Sequence, residues 1–331
     1  MEIPETTYPK LLVEKAGKYK DRVAMREKKK GIWKEISWQT YLDQVRYLSL
    51  GLYELGLTRG DHVSILAENC PEWIFADLAI QSLQCISVGI YPTNSEEQCR
   101  YIIDHSGSRF VFAGDQEQAD KIIFVKDKLP ELAGIIVFDM RGMRHYDDPL
   151  IMSYRSIIEK GQNIDTADPE LFYRFVDQTR PDDVAFLVYT SGTTGLPKGC
   201  MIPHDHHLGN IYGINRILRL SEKDSIVSYL PLCHILERGL SISLPLAFGY
   251  TVNFAESIET VQENIHEISP TFFAAVPRIL EKMHSTVMLK IKDTTRFKRF
   301  IFHLFHPVGK RVAEFRMARK RVSLHWLIPY G

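Results

Sequence analysis

The feature that most constrains the fold of this chain is a regular alternation of short apolar runs and amphipathic segments between residues 62 and 138. The apolar runs predict strands, and the segments between them predict helices. We expect strands at 62–67, 86–91, 109–113 and 134–138, and helices at 71–83, 95–105 and 117–128. Strands that alternate with helices run parallel and are joined by right-handed crossovers. The sequence therefore predicts a layered α/β fold.

The alternation follows an amphipathic helix predicted at 38–55 and is interrupted once. Residues 140–180 contain clusters of Asp, Pro, Gly and Asn, which are typical of loops. Beyond them we expect strands at 184–190, 225–230, 250–254 and 271–275, and helices at 205–219, 235–247, 257–268 and 278–291. We place a boundary in the interruption. The sequence then predicts two α/β subdomains, residues 1–175 and 176–331.

The composition argues against several classes of protein. The five cysteines are odd in number, scattered, and contain no C-x-x-C pair, which argues against a disulfide framework and a structural zinc site. No run approaches the ~20 apolar residues of a membrane span, and the first residues lack the features of a signal peptide. We therefore expect a cytoplasmic location. Lys and Arg number 41, as do Asp and Glu, so net charge indicates no partner.

The most informative stretch is YTSGTTGLPKG, residues 189–199, and we call residues 190–195 the Ser/Thr/Gly loop. Glycines let backbone N–H groups face an anion, hydroxyls add donors, and Lys198 supplies a positive charge. A flexible loop without a ligand is the alternative. A Walker-type loop is excluded, because it requires Gly before the lysine and Ser or Thr after it, where Pro197 and Gly199 stand. The apolar residues 200–202 indicate a returning strand, hence a hairpin loop over phosphates.

The string YTSGTTGLPKG resembles the signature of the adenylate-forming (AMP-binding) superfamily, which includes acyl-CoA synthetases, luciferases and peptide-synthetase adenylation domains. The resemblance implies the layered α/β sheets of the large N-terminal domain of these enzymes. It also implies which residues hold the phosphates of ATP: Thr190, Ser191, Gly192, Thr193, Thr194, Gly195 and Lys198.

A second string, LPLCHILER at residues 230–238, resembles the next motif of the superfamily, a strand end followed by P-x-x-H. In that family the histidine lies beside the carboxylate and the α-phosphate, so the resemblance implies catalytic roles for His234 and Lys198. A structural histidine at the start of an apolar helix is the alternative. We expect Glu237 and Arg238 to form an ion pair at the start of this helix.

The sequences LPLCHILER and VPRILEKM, the latter at residues 276–283, are most similar to the corresponding motifs of the long-chain fatty acid–CoA ligase branch. This resemblance implies activation of a fatty acid with ATP and Mg²⁺ to acyl-AMP, followed by transfer to CoA. The alternatives are another adenylate-forming enzyme, luciferase-like or an adenylation domain, and a non-catalytic nucleotide- or lipid-binding module. The family's adenine, ribose and Mg²⁺ residues and its C-terminal lysine would lie beyond residue 331. We expect this N-terminal portion to be inactive alone.

Two further clusters invite a functional interpretation. The three histidines between positions 204 and 207 cannot share one helix face, so we interpret them as a polar entry into a helix and not as a metal site. Residues 282–321 carry twelve Lys or Arg and two acidic residues among Phe, Leu, Ile and Val. That pattern is typical of a segment on an anionic membrane surface, although a solvated helical face is the alternative. Nothing else supports nucleic-acid binding, and the oligomeric state is not indicated.

Overall fold

The computed structural model describes residues 4–190 and 195–318. The chain divides into two compact units, Met1–Phe272 and Phe273–Gly331. The first unit contains two sheets. The strands are β1 (Val23–Lys29), β2 (Ile32–Ser37), β3 (His62–Leu66), β4 (Ile86–Ile90), β5 (Ser108–Ala113), β6 (Gly134–Val137), β7 (Ile151–Ser153), β8 (Val184–Thr190), β9 (Lys198–Pro203), β10 (Ser225–Ser228) and β11 (Thr251–Phe254).

The helices of the first unit pack around these sheets, and the described part of the second unit, up to residue 318, contains a pair of helices. The first unit contains α1 (Tyr8–Tyr19), α2 (Trp38–Glu54), α3 (Pro71–Ser82), α4 (Glu96–Ser106), α5 (Gln116–Val125), α6 (Tyr154–Ala167), α7 (Leu171–Asp177), α8 (His204–Leu218), α9 (Ile235–Arg238), α10 (Leu244–Phe248) and α11 (Val261–Ile268). The second unit contains α12 (Pro277–Lys292) and α13 (Arg296–Met317). A π-helical turn, Gly239–Ser243, joins α9 to α10.

The larger sheet confirms the predicted α/β architecture. Its order is β7-β6-β5-β3-β4-β8-β9, and every neighbouring pair is parallel except β8 and β9. Each of the seven elements predicted between residues 62 and 138 is present, with its ends within three residues of the prediction. Apart from the partly buried Ile86, the apolar side chains of the parallel strands β3 to β6 are buried, as both faces of a parallel sheet require.

The smaller sheet was not predicted. It has the order β10-β11-β1-β2, in which β1 and β2 form a hairpin and β1 pairs parallel with β11. The same unit therefore contains strands from both predicted subdomains. The division at residue 175 stays a prediction.

The prediction of loops over residues 140–180 was wrong, because β7, α6 and α7 lie there. The glycine at position 161 serves close packing and not a turn. A Cβ built on Gly161 would lie 1.7 Å from the Tyr47 carbonyl oxygen, and one built on Gly51 would lie 2.2 Å from the Ile157 carbonyl oxygen. Helices α2 and α6 can cross at this distance only because each presents a glycine to the other.

The prediction of a strand at 271–275 was also wrong. The N–H groups of Thr271 and Phe272 both donate to the carbonyl of Ser225, at 3.1 and 3.3 Å. Two donors on one acceptor do not form the alternating ladder of a sheet. The segment stays irregular up to the start of α12.

Candidate functional site

The Ser/Thr/Gly loop lies at the tip of a β hairpin, as the sequence predicted. Strands β8 and β9 pair antiparallel with Thr190 opposite Lys198, so the chain leaves the sheet at one residue and returns at the other. The side chain of Lys198 is exposed. Gly195 has a φ of +146°, which only glycine adopts without strain. Four residues predicted to bind phosphate lie outside the described part of the chain: Ser191, Gly192, Thr193 and Thr194.

Helix α4 holds both ends of this loop. The Nδ1 atom of His105 lies 2.9 Å from the hydroxyl of Tyr189, the residue before Thr190. The hydroxyl of Tyr101 donates to the Pro197 carbonyl at 2.9 Å. Burial, and then the neighbouring Tyr101, raise the pKa of Tyr189 to about 12. Tyr189 therefore remains a neutral hydrogen-bonding group, and the spacing of the loop's two ends is fixed by side chains outside the motif.

The P-x-x-H turn follows β10 and begins α9. The His234 N–H donates to the Pro231 carbonyl at 2.9 Å, which closes the turn. The side chain of His234 then caps α9, because its Nδ1 accepts the Leu236 N–H at 3.2 Å. A neutral imidazole whose Nδ1 accepts a hydrogen bond carries its proton on Nε2. His234 can therefore donate from Nε2 to an anionic group.

Gly89 on β4 allows this turn to lie against the larger sheet. A Cβ at position 89 would stand 2.7 Å from the Cβ of Cys233 and 2.9 Å from its Cα. Any side chain there would push the turn, and His234 with it, away from the sheet. The glycine lies in the GIYP stretch, residues 89–92, which marks the carboxyl end of β4.

A single cavity of about 820 Å³ brings the two motifs together. Three of the predicted site residues line it, namely Thr190, Gly195 and His234; the exposed Lys198 is not among its lining residues. Tyr101 and other aromatic and aliphatic side chains form much of the remaining wall. Polar and charged side chains of α4 and the segment before it also line the cavity. A cavity with a polar loop, a histidine donor and a partly apolar wall suits a molecule with an anionic end and an apolar body.

The predicted ion pair between Glu237 and Arg238 is wrong, because each residue has a different buried partner. The Nη1 of Arg238 lies 2.8 Å from the Oδ1 of Asp77, and both side chains are 1% exposed. The guanidinium carbon also lies 3.9 Å from the centre of the Phe186 ring on β8. Arg238 thus joins the helix behind His234 to α3 and to the strand that leads into the Ser/Thr/Gly loop.

Glu237 is buried beneath the same turn. Its carboxylate accepts the hydroxyl of Ser241 at 2.5 Å. Burial raises the pKa of Glu237 to about 7, and hydrogen bonds from Ser241, Ser228, and the backbone of Leu230 and Tyr229 oppose the rise. The carboxyl group therefore joins the end of β10 to the helix that follows His234.

The histidines at 204–207 are not the polar helix entry that we predicted. His204 and His207 are buried, and they fasten α8 to α1: Tyr8 N–H donates to His204 Nδ1 at 3.3 Å, and the Tyr8 hydroxyl lies 2.6 Å from His207 Nδ1. Burial lowers the pKa of His204 to about 3 and that of His207 to about 4, so both rings are neutral at pH 7. Within the described ranges, no three His, Cys, Asp or Glu side chains are placed to hold a metal ion.

The second unit presents an apolar and basic helix. No residue of α13 is buried, and Phe297, Phe300, Leu304 and Phe305 are between 43 and 71% exposed. Apolar residues recur at spacings of three and four, so they share one face of the helix. The helix carries six Lys or Arg and one Glu. Over residues 4–190 and 195–318, no helix has both the length and the apolar composition needed to cross a membrane.

The chain belongs to the AMP-binding enzyme family, whose model matches residues 12–321. The match spans the Ser/Thr/Gly loop, the P-x-x-H turn and the cavity between them.

Among curated relatives, the chain is 31% identical over 351 residues to long-chain-fatty-acid–CoA ligase ACSBG2 of Xenopus laevis, covering 97% of this chain and 46% of that protein. It is 33% identical to the protein of the same name from Gallus gallus, over 85% of this chain and 37% of that protein. The chain therefore spans about half the length of the curated relatives it matches, or less.

The solved structures show the same fold at low sequence identity. A long-chain-fatty-acid-CoA ligase from Archaeoglobus fulgidus superposes with a TM-score of 0.73 at 20% identity, covering 89% of this chain and 55% of that one. A luciferase-like enzyme from the mealworm Zophobas morio gives a TM-score of 0.70 at 20% identity, over 84% and 61% of the two chains. These neighbours confirm the predicted α/β fold of acyl-CoA synthetases and luciferases.

Proposed function

We propose that the protein activates a long-chain fatty acid with ATP and transfers the acyl group to CoA. In the first step a carboxylate oxygen attacks the α-phosphorus of ATP, which gives acyl-AMP and releases pyrophosphate. In the second step the CoA thiol displaces AMP. The observation that carries the proposal is the single cavity in which both ends of the Ser/Thr/Gly loop meet His234. The names of the curated relatives support the choice of acid.

In this mechanism the chain positions its substrates and stabilises their charge. Backbone and hydroxyl donors of residues 190–195 would hold the departing pyrophosphate, with the ammonium of Lys198 as a further positive charge. The Nε2 proton of His234 would orient the carboxylate for attack. Mg²⁺ would accompany ATP and neutralise phosphate charge. The described residues provide no carboxylate cluster for the metal, so no step is assigned to a protein-bound metal.

The experiment for this proposal is fatty acid-dependent release of pyrophosphate by the full-length protein, with acids of increasing chain length. Release that depends on long-chain acids, followed by CoA-dependent release of AMP, supports it. A preference for aromatic or amino acids would assign the chain to another adenylate-forming activity. Nucleotide binding without pyrophosphate release would indicate a non-catalytic module.

We also propose that α13 brings the protein to an anionic membrane surface, within a cytoplasmic location. The support is the coincidence, on one exposed helix, of unburied phenylalanines and an excess of five positive charges. An amphipathic helix of this kind can bury its apolar face at the lipid boundary while its cations meet acidic headgroups. Long-chain fatty acids partition into the same surface. A fully solvated face is the alternative.

A further inference from the structure

Asn69, just after β3, makes three hydrogen bonds to the segment that leads to His234. Its amide nitrogen donates to the hydroxyl of Ser228 at 3.1 Å and to the carbonyl of Leu230 at 2.5 Å. Its Oδ1 accepts the N–H of Leu232 at 3.0 Å. One side chain thus joins the carboxyl end of a strand in the larger sheet to the carboxyl end of β10 in the smaller sheet.

The three partners suit an asparagine and define its orientation. An amide offers two donors on nitrogen and an acceptor on oxygen, and here a carbonyl faces the nitrogen while an N–H faces the oxygen. A reversed amide would place two oxygens together at Leu230. An aspartate would keep the bond from Leu232 but could not donate to Ser228 and Leu230.

Asn69 does not line the cavity that contains His234. It lines a separate cavity of about 840 Å³, beside residues at the carboxyl ends of β3, β5 and β11. Any effect on the reaction must therefore pass through the backbone of residues 230–232. Arg238 holds the helix on the far side of His234, so the turn is fixed from both directions.

We infer that Asn69 is a positioning residue for His234: its hydrogen bonds set where the P-x-x-H turn places the imidazole relative to the Ser/Thr/Gly loop. The catalytic consequence rests on the proposed function, whereas the effect on the turn does not. A displacement of about 1 Å at a reacting group can lower a rate on the order of a hundredfold. Loss of three hydrogen bonds at the start of a short turn permits a displacement of that size.

The kinetic test compares Asn69→Ala, His234→Ala and the double variant in the full-length protein. We expect Asn69→Ala to slow single-turnover adenylate formation by about ten- to a hundredfold while the ATP dissociation constant changes less than about threefold. Because Asn69 acts through His234, adding Asn69→Ala to the His234→Ala protein should lower the rate by less than about twofold. Effects that multiply across the two sites would overturn the inference.

Asn253 provides the matched control. It is a fully buried asparagine on β11, and its amide nitrogen donates to the Ile226 carbonyl at 2.7 Å, so it also holds β10 but at the middle of the strand. Asn253→Ala should lower the melting temperature. It should not, however, slow adenylate formation strongly while leaving the ATP dissociation constant nearly unchanged, which is the pattern expected for Asn69→Ala. If it reproduces the kinetic pattern of Asn69→Ala, general loss of stability explains both and the inference fails.

A second measurement does not depend on activity. Hydrogen exchange of the Leu232 amide, whose N–H is bonded to Asn69, should quicken about tenfold or more in Asn69→Ala, with little change at Ile226. If the wild-type protein makes no acyl-adenylate, the proposed function fails, but exchange of the Leu232 amide still tests whether Asn69 holds the turn. Unchanged exchange at Leu232 would refute the inference. If Asn69→Ala does not fold, Asn69→Thr has nearly the volume of asparagine but is too short to make the three bonds, and faster exchange at the Leu232 amide is expected there too.

Discussion

Replacing Asp77 by asparagine should strongly destabilise the first unit, because the change leaves the charge of Arg238 unpaired in the core. Both side chains are 1% exposed and their closest atoms are 2.8 Å apart. Asparagine has nearly the volume of aspartate, so packing is preserved and the lost charge dominates. Removing one partner of a buried ion pair costs about 3–5 kcal/mol. That is a large fraction of the roughly 5–15 kcal/mol by which domains are stable.

Urea denaturation of wild type and Asp77→Asn measures the effect directly. With a denaturant dependence of about 1–3 kcal/mol per molar urea, the midpoint should fall by at least about 1 M at an unchanged slope. The pair between Arg174 and Asp168 provides the control, since its side chains are 52 and 44% exposed. Asp168→Asn should cost less than about 1 kcal/mol.

Two results would refute this reasoning. One is a decrease of under about 1 kcal/mol in the free energy of unfolding for Asp77→Asn, because a buried arginine without a counter-charge should destabilise the fold by more than that. The other is an equal loss in Asp77→Asn and Asp168→Asn, which would show that burial does not matter here. In the folded fraction of Asp77→Asn, fatty acid-dependent pyrophosphate release should fall as well, because Arg238 supports the helix that follows His234.

Four further outcomes are expected. Lys198→Ala should lower adenylate formation by roughly ten- to a thousandfold, about 1.4–4 kcal/mol, and unchanged pyrophosphate release would contradict its assignment. His234→Ala should slow single-turnover adenylation more than it weakens ATP binding, and a pure loss of ATP affinity would contradict its role at the acid. Burial raises the pKa of Glu237 from 4.5 to about 7, so between these pH values the folded state retains a proton that the unfolded chain has released. The contribution of this group to the free energy of unfolding is fully present below pH 4.5 and is lost as the pH rises through 7. Relative to Glu237→Gln, the wild-type unfolding free energy should therefore decline by up to about 3 kcal/mol over this window, and parallel pH profiles would exclude the effect. The protein should sediment with vesicles in proportion to their anionic lipid and be released by salt, more weakly in Phe300→Ser, whereas binding indifferent to lipid charge and salt would leave the solvated-face interpretation.

The sequence predicted the elements whose signals are local. Apolar runs, together with the turn-forming residues between them, predicted strands β3 to β6 and the helices that connect them. The motif residues predicted the hairpin at Thr190 and the turn at His234. Each of these features depends on residues a few positions apart, such as the Ser95 capping box at the start of α4. Local physics is enough to specify them.

The remainder depends on contacts between distant parts of the chain. Nothing in the stretch around Asn69 indicates that it meets Leu232, and the role of Tyr101 at Pro197 is equally invisible in the sequence. Tyr101 and His105 lie four residues apart and share one face of α4, so the sequence indicates that they could contact the same segment, but it does not indicate which segment. The glycine at 161 was misread because close helix packing and turns favour the same residue.

The parallel pairing of β1 with β11 has a consequence for how the polypeptide matures on the ribosome. Glu27 pairs with Phe254, so the smaller sheet cannot close until the chain beyond residue 254 has been made. At about 5–20 residues per second, the amino-terminal hairpin waits roughly 10 to 45 s with an open edge. Such an edge invites pairing with other nascent chains. Lys29, exposed at the end of β1, places a charge on the strand with the waiting edge, and such a charge discourages that aggregation.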